Sequence, residues 1–207
     1  GACGVSTDDG RTGNQVCDKS TVDSRLLLAL EASVKDQGVH LLNFTDDGKM
    51  ALVRVGSERN PGDIYLFDTE KKTADYISSP RTWLEPELMS ATRPINFKAR
   101  DGLEINGYLT LPRGAGEKNL PMVLLTHGGP YGIRDTWDFD TETQLLASRG
   151  YAVLRVNFRG SGGYGEAFMR AGYSERGGKM QDDHRHGKRG ATDQSYADPK
   201  RTSPYGG

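Results

Sequence analysis

Three short clusters in this chain combine residue types and spacings that could do chemistry. The first is the loop His127-Gly128-Gly129-Pro130, which follows the apolar run Pro121 to Thr126. Glycines at the carboxyl end of a buried strand let the backbone approach a substrate closely. The N–H of Gly129 could then hold the oxyanion of a tetrahedral intermediate. The motif is short, however, and from spacing alone an ordinary tight turn is the favoured interpretation.

The second cluster is the loop Gly160-Ser161-Gly162-Gly163-Tyr164-Gly165, which follows another apolar run. A Gly-x-Gly-x-x-Gly pattern between a strand and a helix is typical of dinucleotide binding, which would indicate a nucleotide-dependent oxidoreductase. That interpretation needs an acidic residue at the end of a second strand about 20 residues later. Asp182 and Asp183 have the spacing, but no apolar run precedes them. A structural or substrate-lining loop is therefore the better interpretation.

The third cluster comprises Asp182, Asp183, His184 and His186. Two histidines separated by one residue do not match a zinc-binding spacing, and no apolar residues nearby would hold them in place. We interpret the cluster as a solvated polar run and predict no metal site. The cysteines, Cys3 and Cys17, form no Cys-x-x-Cys pair and are too few for a disulfide scaffold.

The composition excludes several functional classes. The 207 residues include 27 basic and 28 acidic side chains, for a net charge of -1, which disfavours a nucleic-acid partner bound by bulk electrostatics. The longest uncharged apolar run, Leu26 to Leu30, is far shorter than a membrane span of about 20 residues, and no signal segment opens the chain. The sequence predicts a soluble protein, cytoplasmic or periplasmic, and does not indicate an oligomeric state.

The elements that must position these clusters lie in the middle of the chain. Residues 1–22 contain three valines as their only large aliphatic residues, and Arg170 to Gly207 contains no Ile, Leu, Val, Phe or Trp. Such segments bury too little surface to offset the entropy of ordering them. We therefore predict poorly ordered termini, with an irregular segment at 1–22 and poor order at 184–207.

Residues 23–79 are predicted to form a helix and one antiparallel sheet. Ser24 to Lys35 is rich in helix formers, and Gly38 follows it. Four apolar bursts then recur about every 11 residues between turn-rich separators, which is typical of a β-propeller blade. These bursts are VHLLNF, MALVRV, DIYLFD and TADYIS. A lone blade leaves edges and faces unpaired, which predicts that the chain is a piece of a longer protein.

A proline-bearing linker at 80–93 separates this segment from a predicted α/β domain at 94–207. Asp101-Gly102 indicates a hairpin between two alternating segments. The run that ends at Thr126, a helix capped by Thr141 and Gln144, and the run Tyr151 to Phe158 then form a strand–helix–strand crossover. Both glycine loops follow strands of this unit, where α/β sheets place their ligands.

Several motifs taken together resemble the prolyl oligopeptidase family of serine peptidases. They are LPMVLLTHGGPYG, NFRGSGGYGEAF, KMQDD and ADPKR followed by YGG, in that order. The resemblance is greatest to the acylaminoacyl-peptidase and dipeptidyl-aminopeptidase-like branch. It implies the end of a β-propeller followed by the N-terminal part of an α/β-hydrolase sheet, from about Ser24 to Asp183.

The resemblance also implies site residues and a substrate. Gly129 would be an oxyanion-hole donor in a loop with His127, Gly128 and Pro130, the substrate would be a short or N-acylated peptide, and no cofactor is expected. The nucleophile is expected just after Gly207, with the acid and the base later still, so that no catalytic triad residue lies in this chain. We therefore expect an incomplete chain that is inactive alone. The alternative is a noncatalytic binding or scaffold protein.

The sequence departs from the family pattern near its end. HRHGKRGATDQSY stands where the family has an amphipathic helix, and Thr202-Ser203-Pro204 stands where it has a strand. The first segment has no apolar face, and proline is disfavoured within a central strand. These substitutions strengthen the prediction of a poorly ordered tail.

Overall fold

The computed structural model describes the backbone of residues 4–7, 13–16 and 22–206 and the side chains of residues 24–206. The chain divides into two compact units. The first comprises the residues up to Met89 together with Trp137–Asp140, and the second comprises Ser90–Thr136 together with the residues from Thr141 onward.

The first unit is built on a four-stranded antiparallel sheet with its strands in sequential order. The strands are β3 (Gly38–Phe44), β4 (Met50–Gly56), β5 (Asp63–Asp68) and β6 (Thr73–Ser78). Each coincides with one of the apolar bursts, which confirms the predicted blade-like segment. Helix α1 (Val22–Ser33) precedes the sheet, and its Leu26 lies in one buried cluster with Val39, Val53 and Phe67.

The irregular segment predicted at 1–22 lies largely outside the described residues. The described parts include two short strands, β1 (Gly4–Thr7) and β2 (Gly13–Val16), which pair antiparallel with each other. Cys3 and Cys17 also lie outside the described residues.

The second unit contains a five-stranded mixed sheet and three helices. In chain order these are β7 (Thr92–Lys98), β8 (Glu104–Thr110), β9 (Leu120–Thr126), α2 (Thr141–Ser148), β10 (Ala152–Asn157), α3 (Glu166–Arg170), α4 (Lys179–Asp193) and β11 (Ala197–Gly206). The sheet order is β11-β9-β10-β8-β7, with β9 parallel to both of its neighbours and β7 and β8 forming the predicted hairpin. The unit is therefore α/β, as predicted.

Strands β9 and β10 are parallel neighbours with largely buried residues, and the two glycine loops follow their carboxyl ends. All six residues of β10 are buried, and Met122 and Leu124 of β9 pack with Leu154 and Val156 of β10 in the core. Continuous apolar runs of this kind are typical of parallel strands covered on both faces. Within the described part of the chain, no helix is long and apolar enough to cross a bilayer.

The prediction of poor order at 184–207 is wrong for the helical part of this segment. Helix α4 runs from Lys179 to Asp193 and buries Met180, Asp183, His184, Gly187 and Ala191. Counted from Met180, these positions are i, i+3, i+4, i+7 and i+11, which is the pattern of one helix face. Apart from Met180, polar and small residues form this buried face, and a search for Ile, Leu, Val, Phe and Trp therefore misses it.

The same prediction is wrong for the last strand, because β11 pairs parallel with β9 along most of its length. Pro204 lies opposite Leu124 in this pairing. In the described sheet β11 pairs on one side only, with β9, and prolines within sheets are found on strands of this kind.

Candidate oxyanion site

Residues 127–130 form the loop at the carboxyl end of β9, where the sequence placed the candidate site. Gly128 and Gly129 are exposed, whereas His127 and Pro130 are half-buried. Gly129 has a φ of 129°, in the region that favours glycine. A Cβ added there would also lie 3.2 Å from the backbone nitrogen of Tyr131. The position therefore requires glycine for conformation as well as for space.

The backbone donors of the two loop glycines are available to a ligand. Within residues 22–206, neither Gly128 nor Gly129 donates its N–H to another group of the protein. Both residues are exposed at the end of a buried strand. Preorganised backbone N–H groups of this kind stabilise the negative oxygen of an acyl-transfer intermediate.

His127 holds the loop through both ring nitrogens and through its ring face. Nδ1 lies 2.9 Å from the carbonyl oxygen of Gly128, and Nε2 lies 3.0 Å from Oγ of Ser161. The ring stacks on Phe158 with centroids 4.5 Å apart and an interplanar angle of 17°. The loop after β9 is thus joined to the loop after β10.

The contact between Ser161 and His127 has the atoms of a nucleophile and a general base, but its surroundings do not suit that chemistry. Ser161 is fully buried, so a substrate carbonyl cannot reach its Oγ. The other ring nitrogen of His127 faces the Gly128 carbonyl rather than an orienting carboxylate. We therefore assign Ser161 a structural role.

Arg159 anchors the loop after β10 through a buried network of charges. Its Nε and Nη2 each donate to the Asp183 carboxylate at 2.8 Å, and its backbone N–H donates to the same group at 3.0 Å. Nη1 and Nη2 donate to Asp101 at 2.7 and 3.1 Å. These bonds lower the pKa of Asp101 to about 2 and raise that of Arg159 further above its already high value. Sequence analysis missed this network because its three members are far apart in the chain.

His184 lies beside this network, with its ring 4.8 Å from that of Phe158. Burial lowers the pKa of His184 to about 4, and the neighbouring His127 adds to this effect while Asp183 opposes it. Its Nδ1 is buried without a hydrogen-bond partner among the described residues. His184 is therefore a neutral packing residue under most conditions.

The predicted polar run at Asp182 to His186 is thus partly a buried cluster. Asp183 and His184 face the core, while Asp182 pairs with Arg185 on the outer surface and Nδ1 of His186 donates to the Asp182 carbonyl. In the described part of the chain, no group of three His, Cys, Asp or Glu residues could hold a metal ion. The buried residues of this cluster serve packing and the Arg159 network.

The loop Gly160–Gly165 uses its glycines to approach other backbone segments of the same unit. A Cβ at Gly162 would collide with the backbone of Gly132, and a Cβ at Gly172 would collide with the Cα of Gly160. Asp182 and Asp183 lie on a helix rather than at the end of a strand, and Arg159 engages both carboxylate oxygens of Asp183. The geometry therefore does not support the dinucleotide interpretation.

Comparison with known proteins places these features in a family. Residues 137–207 match the model of the prolyl oligopeptidase family. The chain is 40% identical to dipeptidyl aminopeptidase BIII of Pseudoxanthomonas mexicana over 146 residues, which cover 67% of this chain and 21% of that protein.

Solved structures show the same similarity. A puromycin-hydrolyzing peptidase of Mycobacterium tuberculosis superposes with a TM-score of 0.73 at 22% identity, over 100% of this chain and 32% of that one. An acylaminoacyl peptidase of Pyrococcus horikoshii superposes with a TM-score of 0.64 at 25% identity, over 83% and 27%.

The sequence similarity and the structural similarity agree with the order of motifs along the chain. The chain spans about a fifth of the length of its dipeptidyl aminopeptidase relative. This chain belongs to the prolyl oligopeptidase family of serine peptidases.

Proposed function

We propose that this chain is part of a serine peptidase and supplies one of its two oxyanion donors, the N–H of Gly129. The observation that carries the proposal is this exposed N–H, which has no partner among the described residues and lies at the carboxyl end of β9. His127, Gly128 and Pro130 shape the loop around it. The second donor would be the backbone N–H that follows the nucleophilic serine.

The proposed substrates are short peptides, including N-acylated ones. Support comes from the relatives, which are named as a dipeptidyl aminopeptidase and an acylaminoacyl peptidase. In such an enzyme a serine attacks the scissile carbonyl, a histidine transfers the proton and an acid orients the histidine. We propose that these three residues lie in sequence beyond Gly207, so that the chain acts only as part of a longer protein.

Reading the source DNA past the codon for Gly207 tests this proposal first. A reading frame that continues with Gly-Ser-x-Gly supports the peptidase. A stop codon at that point favours the alternative, a noncatalytic binding or scaffold protein. The longer protein, where it exists, is then assayed with aminoacyl-nitroanilide and acyl-peptide substrates.

Substitution of Gly129 tests its role in that longer protein. We expect Gly129→Ala to lower turnover per folded molecule by about 10² to 10³, the usual loss for one oxyanion donor. Gly132→Ala is a matched control, because Gly132 also has a positive φ of 74° but an added Cβ meets nothing within 4 Å. The proposal is wrong if Gly129→Ala reduces stability as Gly132→Ala does and leaves turnover per folded molecule unchanged.

A further inference from the structure

The hydrogen bond from His127 acts on the same peptide unit that carries the Gly129 N–H. The carbonyl of Gly128 and the N–H of Gly129 belong to one planar group. This Gly128–Gly129 bond is trans, since the cis bond of the loop is Gly129–Pro130, so the N–H points away from the carbonyl. Holding the Gly128 oxygen therefore sets the direction of the Gly129 N–H. Because both residues are glycine, their own backbone preferences restrict this peptide plane only weakly.

The two contacts of the His127 ring specify its tautomer. A carbonyl oxygen only accepts hydrogen bonds, so Nδ1 carries the proton in the 2.9 Å contact with Gly128. In the neutral ring Nε2 then has no proton and accepts from the Ser161 hydroxyl at 3.0 Å. Ser161 stabilises the tautomer that the Gly128 contact needs.

The surroundings hold Ser161 and the ring plane in place. Ser161 is fully buried, and its backbone N–H donates to the Phe158 carbonyl at 3.0 Å. This hydrogen bond holds the backbone from which the Ser161 side chain extends. Phe158 is itself buried and stacks flat against His127. The orientation of an exposed amide on one loop thus depends on a buried hydroxyl on another.

We propose that His127 is a positioning residue, which sets the direction of the Gly129 N–H, and that Ser161 selects the tautomer in which it does so. The oxyanion purpose of this arrangement rests on the proposed function. The hydrogen-bond relay from Ser161 through His127 to the Gly128–Gly129 peptide is a property of this chain with or without peptidase activity.

Nuclear magnetic resonance on the 207-residue chain tests the relay without any assay of activity. At pH 8, ¹⁵N correlation spectra of the histidine rings should show His127 protonated at Nδ1 and unprotonated at Nε2, as its two contacts require. Residual dipolar couplings should report one fixed direction for the Gly129 N–H. A ring protonated at Nε2 in the unmodified chain overturns the proposal, and this result does not depend on how any variant folds.

Variants separate positioning from general loop structure. His127→Ala should reduce the residual dipolar coupling of the Gly129 N–H, because the freed peptide plane then samples several directions. His127→Asn should retain the coupling, because the Asn amide places an N–H where Nδ1 stood. Ser161→Ala should lose the single His127 tautomer. The matched control is His186→Ala, which removes a ring whose Nδ1 also donates to a carbonyl, that of Asp182 on α4. An unchanged Gly129 coupling in folded His127→Ala overturns the proposal.

Kinetics distinguish this inference from the proposed function. In a longer, active protein with this loop, His127→Ala should lower kcat about 10²-fold with little change in KM, as expected for a misplaced catalytic group, and His127→Asn should restore most of it. If the NMR spectra show the hydrogen-bond relay but the longer protein has no peptidase activity, the proposed function is wrong and the positioning of the Gly129 N–H by His127 still holds. A wild-type kcat in His127→Ala refutes the positioning role.

Discussion

Arg159 carries its charge in a position that is almost closed to water, so its partners must compensate for the lost hydration. Asp183 is fully buried and Asp101 is partly exposed, and both carboxylates bind the same guanidinium. Because Arg159 lies between Phe158 and Ser161 in sequence, this network anchors the segment that contacts His127. The ion pairs therefore contribute to the site as well as to stability.

We expect Asp183→Asn to lower the free energy of unfolding by roughly 3 to 5 kcal/mol, because it removes a charge from a buried pair and leaves Arg159 undercompensated. The adjacent Asp182→Asn is the control. Asp182 pairs with the exposed Arg185, so its loss should cost less than about 1 kcal/mol. Urea unfolding of both variants measures the difference, and equal costs would contradict the assigned role of Asp183.

His184 should make stability depend on pH in the weakly acidic range. Its pKa is about 4 in the folded protein and 6.5 ordinarily, so between these values unfolding takes up a proton. The unfolded state then binds more protons, and stability falls as pH decreases from 6.5 to 4. A tenfold change in proton affinity corresponds to about 1.4 kcal/mol, so the loss reaches roughly 3 kcal/mol. We expect His184→Leu to remove this dependence.

Unfolding free energies of the wild type and His184→Leu between pH 4 and 8 measure that effect. The difference at pH 8 reports packing alone, because the imidazole is then neutral in both states. Nδ1 of His184 has no partner to lose among the described residues, so the leucine should be tolerated there. Parallel pH profiles for the two proteins between pH 4 and 6.5 would show that another group is responsible.

At the scale of elements, α4 packs closely on the sheet because a glycine occupies the middle of its buried face. A Cβ at Gly187 would lie 2.8 Å from Cγ2 of Val156 and 3.1 Å from the ring of Phe97. Val156 is fully buried on β10, so it has little room to move. The same helix contains Gly190, where an added Cβ would meet nothing within 4 Å.

These two glycines should therefore respond in opposite ways to alanine. Gly190→Ala should raise the free energy of unfolding by up to about 1 kcal/mol, the usual gain in helix propensity. Gly187→Ala gains the same propensity but should show a net loss of about 1 to 3 kcal/mol from overpacking. Thermal or urea unfolding decides the point, and a stabilised Gly187→Ala would mean that α4 does not pack as described.

At the scale of the whole molecule, the second unit by itself brings the candidate oxyanion donor together with the loops that support it, and we expect its nucleophile to come from another segment. The sequence contains no Gly-x-Ser-x-Gly motif, and the serine that contacts His127 is buried. The units separate between Met89 and Ser90, and Trp137–Asp140 belong with the first. The boundaries inferred from sequence, 1–22, 23–79, 80–93 and 94–207, remain predictions.

We expect the isolated 207-residue chain to react with no serine-directed fluorophosphonate probe and to hydrolyse no aminoacyl-nitroanilide above background. An oxyanion donor without a nucleophile and a base has no covalent step to stabilise. Labelling is read by intact mass, with a complete family member as the positive control. Stoichiometric labelling of any serine, Ser161 included, would show that the chain contains its own nucleophile.

Features that depend on local chemistry were readable from the sequence. The four strands from Gly38 to Ser78, the hairpin at Asp101-Gly102 and the buried strands β9 and β10 follow from apolar periodicity and turn residues. The position of the loop at His127 follows in turn, since it begins where β9 ends. Neighbours in sequence determine each of these features, so no knowledge of distant contacts was needed.

Two features could be known only from the tertiary structure: how the C-terminal segment folds, and which residues support the candidate site. Asp183, His184 and Gly187 form the buried face of α4 because Arg159, Phe158 and Val156 lie opposite them, and each of these partners is more than 20 residues away. By composition alone the same residues resemble a solvated run. A polar or small side chain indicates burial only when its partner is known, and the fold brings the partners together.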